Sequence, residues 1–338
     1  MKNILVVFTG GTIGSSVSAG TIDTSGSSAF MLLSLFQQSY ANHQQVNFTT
    51  IQPLQILSEN MAPPAWQMLI QAIEQANPLQ YDGVIITHGT DTLAYTAAAL
   101  SFYFNTIQIP MLLVSSDYPL TDPKANGLEN FICAVEFISQ QIAAGIFVPY
   151  RNPGQTMQIH KGSRLTCSLQ LSGDFFSVQG KSYMQYSNGQ FSALDSSPSK
   201  TPIASGRLSA DFSKRILMIK PYPGLDYRHF DLNHTDAVLH DLYHSGTACA
   251  TRQWGPSYAL VEFIKQCQAN TVQIYLAPAI KSANAYQSTQ FLMAEGAEVI
   301  WNMSIEAAYV KLMLAYSNFT DNKQRMDFLN IDWAGELI

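Results

Sequence analysis

Thr9-Gly10-Gly11-Thr12-Ile13-Gly14 follows directly on the apolar run Ile4-Leu5-Val6-Val7-Phe8. A second stretch, His88-Gly89-Thr90-Asp91-Thr92, follows Gly83-Val84-Ile85-Ile86 in the same way. A glycine-rich turn at the carboxyl end of a buried parallel strand is where an open α/β sheet binds ligands. Both turns set a threonine beside glycine, so small hydroxyls stand next to backbone N–H groups that a ligand can approach closely. Hydroxyl and N–H together are what is needed to attack a carbonyl and hold its oxyanion. The alternative, a nucleotide-binding turn, fits less well. Position 9 breaks G-x-G-x-x-G, there is no G-K-[ST] ending, and the next strand closes on Gln52-Pro53 without the acidic residue that a ribose needs.

Working outward, the first half alternates strand-like with helix-like segments. Strands are expected at 4–8, 46–52, 83–87 and 110–115, and helices at 28–40, 62–76, 91–104 and 125–142. That alternation implies a parallel sheet covered on both faces, a doubly wound α/β domain. From 145 to 190 the rhythm is lost and the sequence reads as a hairpin with irregular structure. The stretch 192–213 is rich in Ser, Pro and Ala and reads as a linker. A smaller flavodoxin-like α/β unit follows, with strands at 216–220, 236–240 and 272–276 and helices at 256–268 and 304–316. The expected domains are therefore 1–191, a linker at 192–213, and 214–338.

Bulk properties narrow the function. With 338 residues, 47% of them hydrophobic, the chain can bury two cores. Its charged fraction of 12% is about half the usual share, which fits a surface partly covered in an oligomer. A net charge of −6 argues against a nucleic-acid partner, which would favour a basic stripe. No apolar stretch approaches the ~20 residues of a membrane span. Cys133, Cys167, Cys249 and Cys267 lack C-x-x-C or zinc spacing and read as buried thiols rather than disulfides. The seven histidines form no ligand-spaced group, so no metal and no cofactor are expected. The N-terminus enters a strand at once and a removable leader would take the first motif with it, so the cytoplasm is the expected compartment.

The pair of turns, with Ser58-Glu59-Asn60-Met61, Tyr118-Pro119-Leu120, Arg164-Leu165-Thr166 and Tyr222-Pro223-Gly224, resembles the asparaginase/glutaminase family of amidohydrolases, nearest to its cytoplasmic type I members. The resemblance runs nearly end to end. It implies that Thr12 is the nucleophile, that the N–H groups of Gly11 and Thr90 hold the oxyanion, and that Asp91 binds the substrate α-ammonium. It also implies that Ser58 grips the α-carboxylate, that Glu59 meets the α-amino group, and that Thr90 and Asp91 belong to a polar relay. A homodimer or homotetramer is implied, with Ser245-Gly246-Thr247 approaching the site of a neighbouring copy. Read from spacing alone, Asp91 and Ser58-Glu59 are helix caps, and His88 is a satisfied structural histidine.

Two family positions differ. Cys167 stands where the resemblance places a lysine, and Thr21 where it places the tyrosine of a Gly/Ser-rich lid at 15–27. Lys161 and Lys124 are near in sequence but out of register. Three readings stay open: an amidohydrolase acting on asparagine or a related small amide, a member that binds a small amino acid without turning it over, or a different reaction on the same scaffold.

Overall fold

The structure, a computed structural model, describes residues 1–10, 15–18, 21–24, 27–194, 206–282 and 286–338, with the stretch up to residue 30 described from 15 onward in its backbone alone. The chain divides into two compact units. One comprises Met1–Ala210 with Trp333–Gly335, the other Asp211–Asp332 with Glu336–Ile338.

In the first unit the elements run β1 (Lys2–Phe8), β2 (Ser15–Ser18), β3 (Thr21–Thr24), α1 (Ser27–Ser39), β4 (Val46–Ile51) and α2 (Pro63–Gln75). They continue through β5 (Gly83–Thr87), α3 (Leu93–Tyr103), β6 (Pro110–Val114), α4 (Gly127–Ser139), β7 (Gly145–Tyr150), β8 (Met157–Lys161), β9 (Met184–Ser187) and β10 (Gln190–Ala193). An eight-stranded sheet has the order β10-β9-β8-β7-β6-β5-β1-β4, while β2 and β3 form a separate antiparallel pair. β4, β1, β5, β6 and β7 are parallel and β8 to β10 antiparallel. The parallel strands are apolar runs because helices cover both faces. β5 and β6 are buried at every position. On one face Phe131, Ala134 and Ile138 of α4 pack with Ile4, Val6, Ile85 and Leu112. α3, Leu93 to Tyr103, is apolar almost all round and correspondingly buried.

The order decides where the site lies. From β1 the chain crosses to β4 on one side, then returns past β1 to β5 on the other. The loops after β1 and β5 therefore diverge from neighbouring strands, and that crevice is the ligand-binding position of an open α/β sheet. The His88–Thr92 turn and the start of the first turn, Thr9-Gly10, lie there.

Two readings of the sequence are corrected in the first unit. The segment 145–190 is not a lone hairpin: β7 extends the parallel sheet and β8 to β10 add three antiparallel strands. The helix expected from residue 91 begins at Leu93.

The second unit holds β11 (Ile216–Ile219), β12 (Ala237–His240), α5 (Leu260–Ala269), β13 (Gln273–Ala279), α6 (Gln287–Ala294), β14 (Glu298–Trp301), α7 (Ile305–Asn318) and α8 (Asn322–Asn330). Its four strands are parallel in the order β11-β12-β13-β14. The core gathers Val238, Ile274, Leu276 and Val299 from the sheet with Val261, Phe263 and Ile264 of α5. Lys311 and Glu336 form a fully buried ion pair within this unit. Lys311 also donates to the carbonyls of Leu329, at 3.3 Å, and Ile331, at 2.5 Å. No described helix is long and apolar enough to cross a membrane.

Candidate active site

Three loops meet at the carboxyl ends of β1 and β5. Thr9 is buried, and its hydroxyl donates to the Thr87 carbonyl at 2.6 Å, which fixes the first turn to the end of β5. Gly10 has φ +98°, and the Ile56 N–H donates to the Thr9 carbonyl at 3.0 Å. A β-carbon at Gly10 would lie 2.4 Å from the Ile56 oxygen, so only glycine permits this approach. Holding Ile56 there delivers the residues just beyond it.

Ser58 is buried two residues on, in a short turn of helix that runs to Asn60. Its hydroxyl donates to Asp91 Oδ2 at 3.0 Å and accepts from the Asp91 N–H at 3.2 Å. The Thr92 hydroxyl donates to the Ser58 carbonyl at 2.8 Å. Ser58 and Asp91, 33 residues apart in sequence, thus form one polar unit. Asp91 and Glu59 are exposed, Thr90 is half-buried and Gly89 is buried.

The capping readings are corrected here. The residue flanking α3 is Thr92 and that flanking α2 is Ala62, with no side-chain cap bond at either. Asp91 and Ser58 spend their hydrogen bonds on each other instead. Residues whose short polar side chains favour helix ends also suit a tight loop, and the packing of Ile56 against Thr9 decides between the two.

His88 is buried, and its Nδ1 donates to the Gly89 carbonyl at 2.7 Å, which fixes the tautomer with the proton on Nδ1. Burial lowers its pKa to about 4, against the smaller opposing effects of that carbonyl and of Asp91. The ring is neutral at neutral pH and holds the turn. Its Nε2 is buried with no hydrogen-bond partner among the described residues, so the ring is only half satisfied, which corrects the expectation of a satisfied structural histidine.

Cys167 is outside any disulfide and, like Cys249, only half-buried, which corrects the expectation that all four thiols are buried. Just before it, Thr166 donates both its N–H, at 3.0 Å, and its hydroxyl, at 2.9 Å, to the Phe176 carbonyl. The neighbouring lysines are occupied elsewhere. Lys161 lies 5.2 Å from the centre of the Tyr183 ring, and Lys124 lies 6.0 Å from that of Tyr118. Arg164 and Ser163 donate to the carbonyls of Gly335, at 2.6 Å, and Ala334, at 2.9 Å, so this motif anchors the returning C-terminal segment. Thr12 and Gly11 lie outside the described residues, and Thr21 is described only as the first residue of β3. Ser245-Gly246-Thr247 belongs to the second unit, in a turn closed by the Tyr243 N–H donating to the Thr247 carbonyl at 2.8 Å. Two residues without an assigned role in the sequence reading, Thr9 and Thr92, turn out to tie the loops together. Their presence inside the two motifs was the available signal.

Among the described residues no group of three His, Cys, Asp or Glu side chains could hold a metal ion. What converges is a carboxylate, a hydroxyl and backbone N–H groups at the switch point of a doubly wound sheet. Such groups suit a small polar molecule, on a fold of two α/β units.

Residues 3–198 match the family model of the asparaginase N-terminal domain, and the chain belongs to that family. It is 26% identical over 349 aligned positions to a component of the glutamyl-tRNA(Gln) amidotransferase of Methanococcus maripaludis, covering all of this chain and 81% of that protein. The component of the same name from Pyrococcus abyssi is 24% identical, with all of this chain and 77% of that protein covered. Among solved structures, the thermostable L-asparaginase from Thermococcus kodakarensis superposes with a TM-score of 0.80 at 24% identity, covering 99% of each chain. L-asparaginase I from Vibrio cholerae gives 0.78 at 23% identity, covering 100% of this chain and 99% of that one.

Proposed function

We propose that this chain hydrolyses the side-chain amide of asparagine, or of a related small amide, to the acid and ammonia, without a cofactor. The observation that carries this reading is the Ser58–Asp91 unit at the crevice between β1 and β5. A carboxylate beside a hydroxyl suits the α-ammonium and α-carboxylate of an amino acid, Asp91 taking the first and Ser58 the second, with Glu59 at the edge. A substrate held by those groups would present its side-chain amide to the turns after β1 and β5. There the Thr12 oxygen would attack the carbonyl carbon while the N–H groups of Gly11 and Thr90 receive the charge that develops on oxygen. The C–N bond breaks as the Thr12 proton, relayed through Thr90 and Asp91, reaches the departing nitrogen and ammonia leaves. Water then cleaves the threonyl ester and releases the carboxylic acid.

The relatives named as amidotransferase components support an amide-directed chemistry in this family, and asparagine is the finer assignment made here. The low charged fraction supports a homodimer or homotetramer, and the same reading places the protein in the cytoplasm, acting on a small molecule rather than on a nucleic acid or a membrane.

Ammonia release from asparagine and glutamine tests the proposal, with Thr12→Ala and Asp91→Ala as controls. Turnover abolished by either variant is expected. A second reading is favoured by Cys167 and Thr21 standing where the family resemblance places a lysine and a tyrosine: ligand binding without turnover. A rise in melting temperature with aspartate or asparagine and no ammonia would replace the first reading with the second. Light scattering that shows a monomer at micromolar concentration would overturn the assembly.

A further inference from the structure

The carboxyl edge of the second unit's sheet carries a pocket that the amide chemistry does not use. β11 runs out into Pro221-Tyr222-Pro223-Gly224, a turn closed by the Leu225 N–H donating to the Tyr222 carbonyl at 3.1 Å. β12 runs out into the turn that begins at Tyr243, and the segment ahead of α5 adds Trp254 and Tyr258. Together they line a cavity of about 310 Å3, a volume that suits a small organic molecule. The edge is again the ligand-binding one for parallel strands.

The floor is finished. Tyr227 is buried, stacks on Phe263 at 4.9 Å between ring centres, and donates its hydroxyl to His240 Nε2 at 2.7 Å. His240 in turn gives its Nδ1 proton to the Asp241 carbonyl. No polar demand is left open there. The walls are the opposite: Tyr222, Tyr243 and Trp254 are 55%, 40% and 71% exposed. Aromatic rings that stand in water around a concave site gain when a flat partner covers them.

Charge selects the partner. None of the lining residues is ionisable as an acid stronger than a thiol or phenol, and none is a base. Asp226, the nearest carboxylate in sequence, is already held by Arg228 through 3.0 and 3.1 Å bonds, which lower its pKa to about 2. Arg252 pairs with Glu262, and Lys220 precedes the Pro221 turn. A bare ammonium would find ring faces but no counter-charge among the lining residues. A neutral ring needs none.

We propose that this pocket binds the flat, uncharged aromatic ring of a small molecule, stacked on Trp254 and the flanking tyrosines with its polar portion in water. Nucleobases and indoles share that chemistry, so adenosine and indole serve as the two probes of the full chain. Saturable binding at sub-millimolar concentration is expected for at least one of them, and the stronger of the two identifies the source. Adenosine binding is read by quenching of tryptophan emission in the unaltered chain, and in the Trp254 variants by slower alkylation of Cys249. Indole binding is read by slower alkylation of Cys249, a half-buried thiol at the cavity, followed on its own peptide by mass spectrometry because Cys167 is half-buried as well. Burial pushes the Cys133 and Cys267 thiols up, so their alkylation is slow throughout. Trp254→Ala should weaken binding about tenfold or more, and Trp254→Phe should keep it within roughly threefold. Tyr222→Ala, in a different loop, repeats the test if the first variant does not fold. Failure of both probes to saturate overturns the proposal, as does unchanged affinity in both alanine variants. So does saturation by tetramethylammonium alone, or a Trp254 that acrylamide cannot reach because another copy covers it.

Discussion

Ser58 gives Asp91 both a donor and an acceptor, so Ser58→Ala removes two hydrogen bonds with one atom. A hydrogen bond to an ionised acceptor contributes on the order of 1.5 kcal/mol at the exposed end of its range. The expected loss of kcat/KM for the proposed amidase is therefore roughly tenfold, with melting temperature little changed because Asp91 is exposed. A variant with wild-type kinetics would remove Ser58 from the site. Gly10→Ala acts differently. Its β-carbon would meet the Ile56 oxygen at 2.4 Å in a backbone with positive φ, so a cost above about 2 kcal/mol is expected in urea unfolding. Cys167→Lys tests the family difference directly. If the missing ammonium limits turnover, the variant should raise ammonia release by a measurable part of the ~10²–10⁴-fold that a proton-transfer group contributes. Melting temperature is measured on the same sample, since a lysine forced among packed atoms without a partner is destabilising. A folded Cys167→Lys protein with no gain, alone and with Thr21→Tyr added, would show that these two positions do not limit the reaction.

At the scale of elements, the sequence was legible where burial was two-sided. β1, β5 and β6 are continuous apolar runs because helices lie on both faces, and their positions could be read within a residue or two. β9 and β10 have four residues each, mostly half-buried or exposed, and the antiparallel edge they form left no apolar run to recognise. α8, Asn-Lys-Gln-Arg-Met-Asp-Phe-Leu-Asn, buries only Phe328 and Leu329, too few to show a helical period. α6 and β14 are likewise short. Within the site, the motifs were visible as types of residue. The reach of Ser58 across to Asp91 was not, because it depends on the Gly10–Ile56 approach and no local pattern encodes a contact between segments 46 residues apart. Packing between β5 and α4 offers a check at the same scale. A β-carbon at Gly83 would lie 2.7 Å from the Ile138 side chain, so Gly83→Ala should cost about 1–3 kcal/mol through overpacking, and Gly83→Ala with Ile138→Val should recover part of it.

For the molecule as a whole, three buried histidines set an acid limit. Burial lowers the pKa of His88, His160 and His240 to about 4 each, whereas in the unfolded chain they titrate near 6.5. Between those values the unfolded state binds protons that the folded state refuses, so stability is full above about pH 6.5 and falls as the pH drops toward 4. His88 and His160 belong to the first unit and His240 to the second, so the first should lose more. Equal urea midpoints at pH 7 and pH 5 would contradict this. The Lys311–Glu336 pair predicts a second global effect. Lys311→Met leaves a buried carboxylate without its cation and should cost about 3–5 kcal/mol, most of it regained by adding Glu336→Gln. Shortly before Glu336, Trp333 is buried in the first unit and donates its indole N–H to the Phe102 carbonyl at 3.0 Å, while Ser163 and Arg164 bond the two residues after it. The unit that leaves the ribosome first thus draws its last pieces from residues 333–335. It can be largely assembled during translation, yet it stays incomplete until synthesis has passed almost the whole of the second unit.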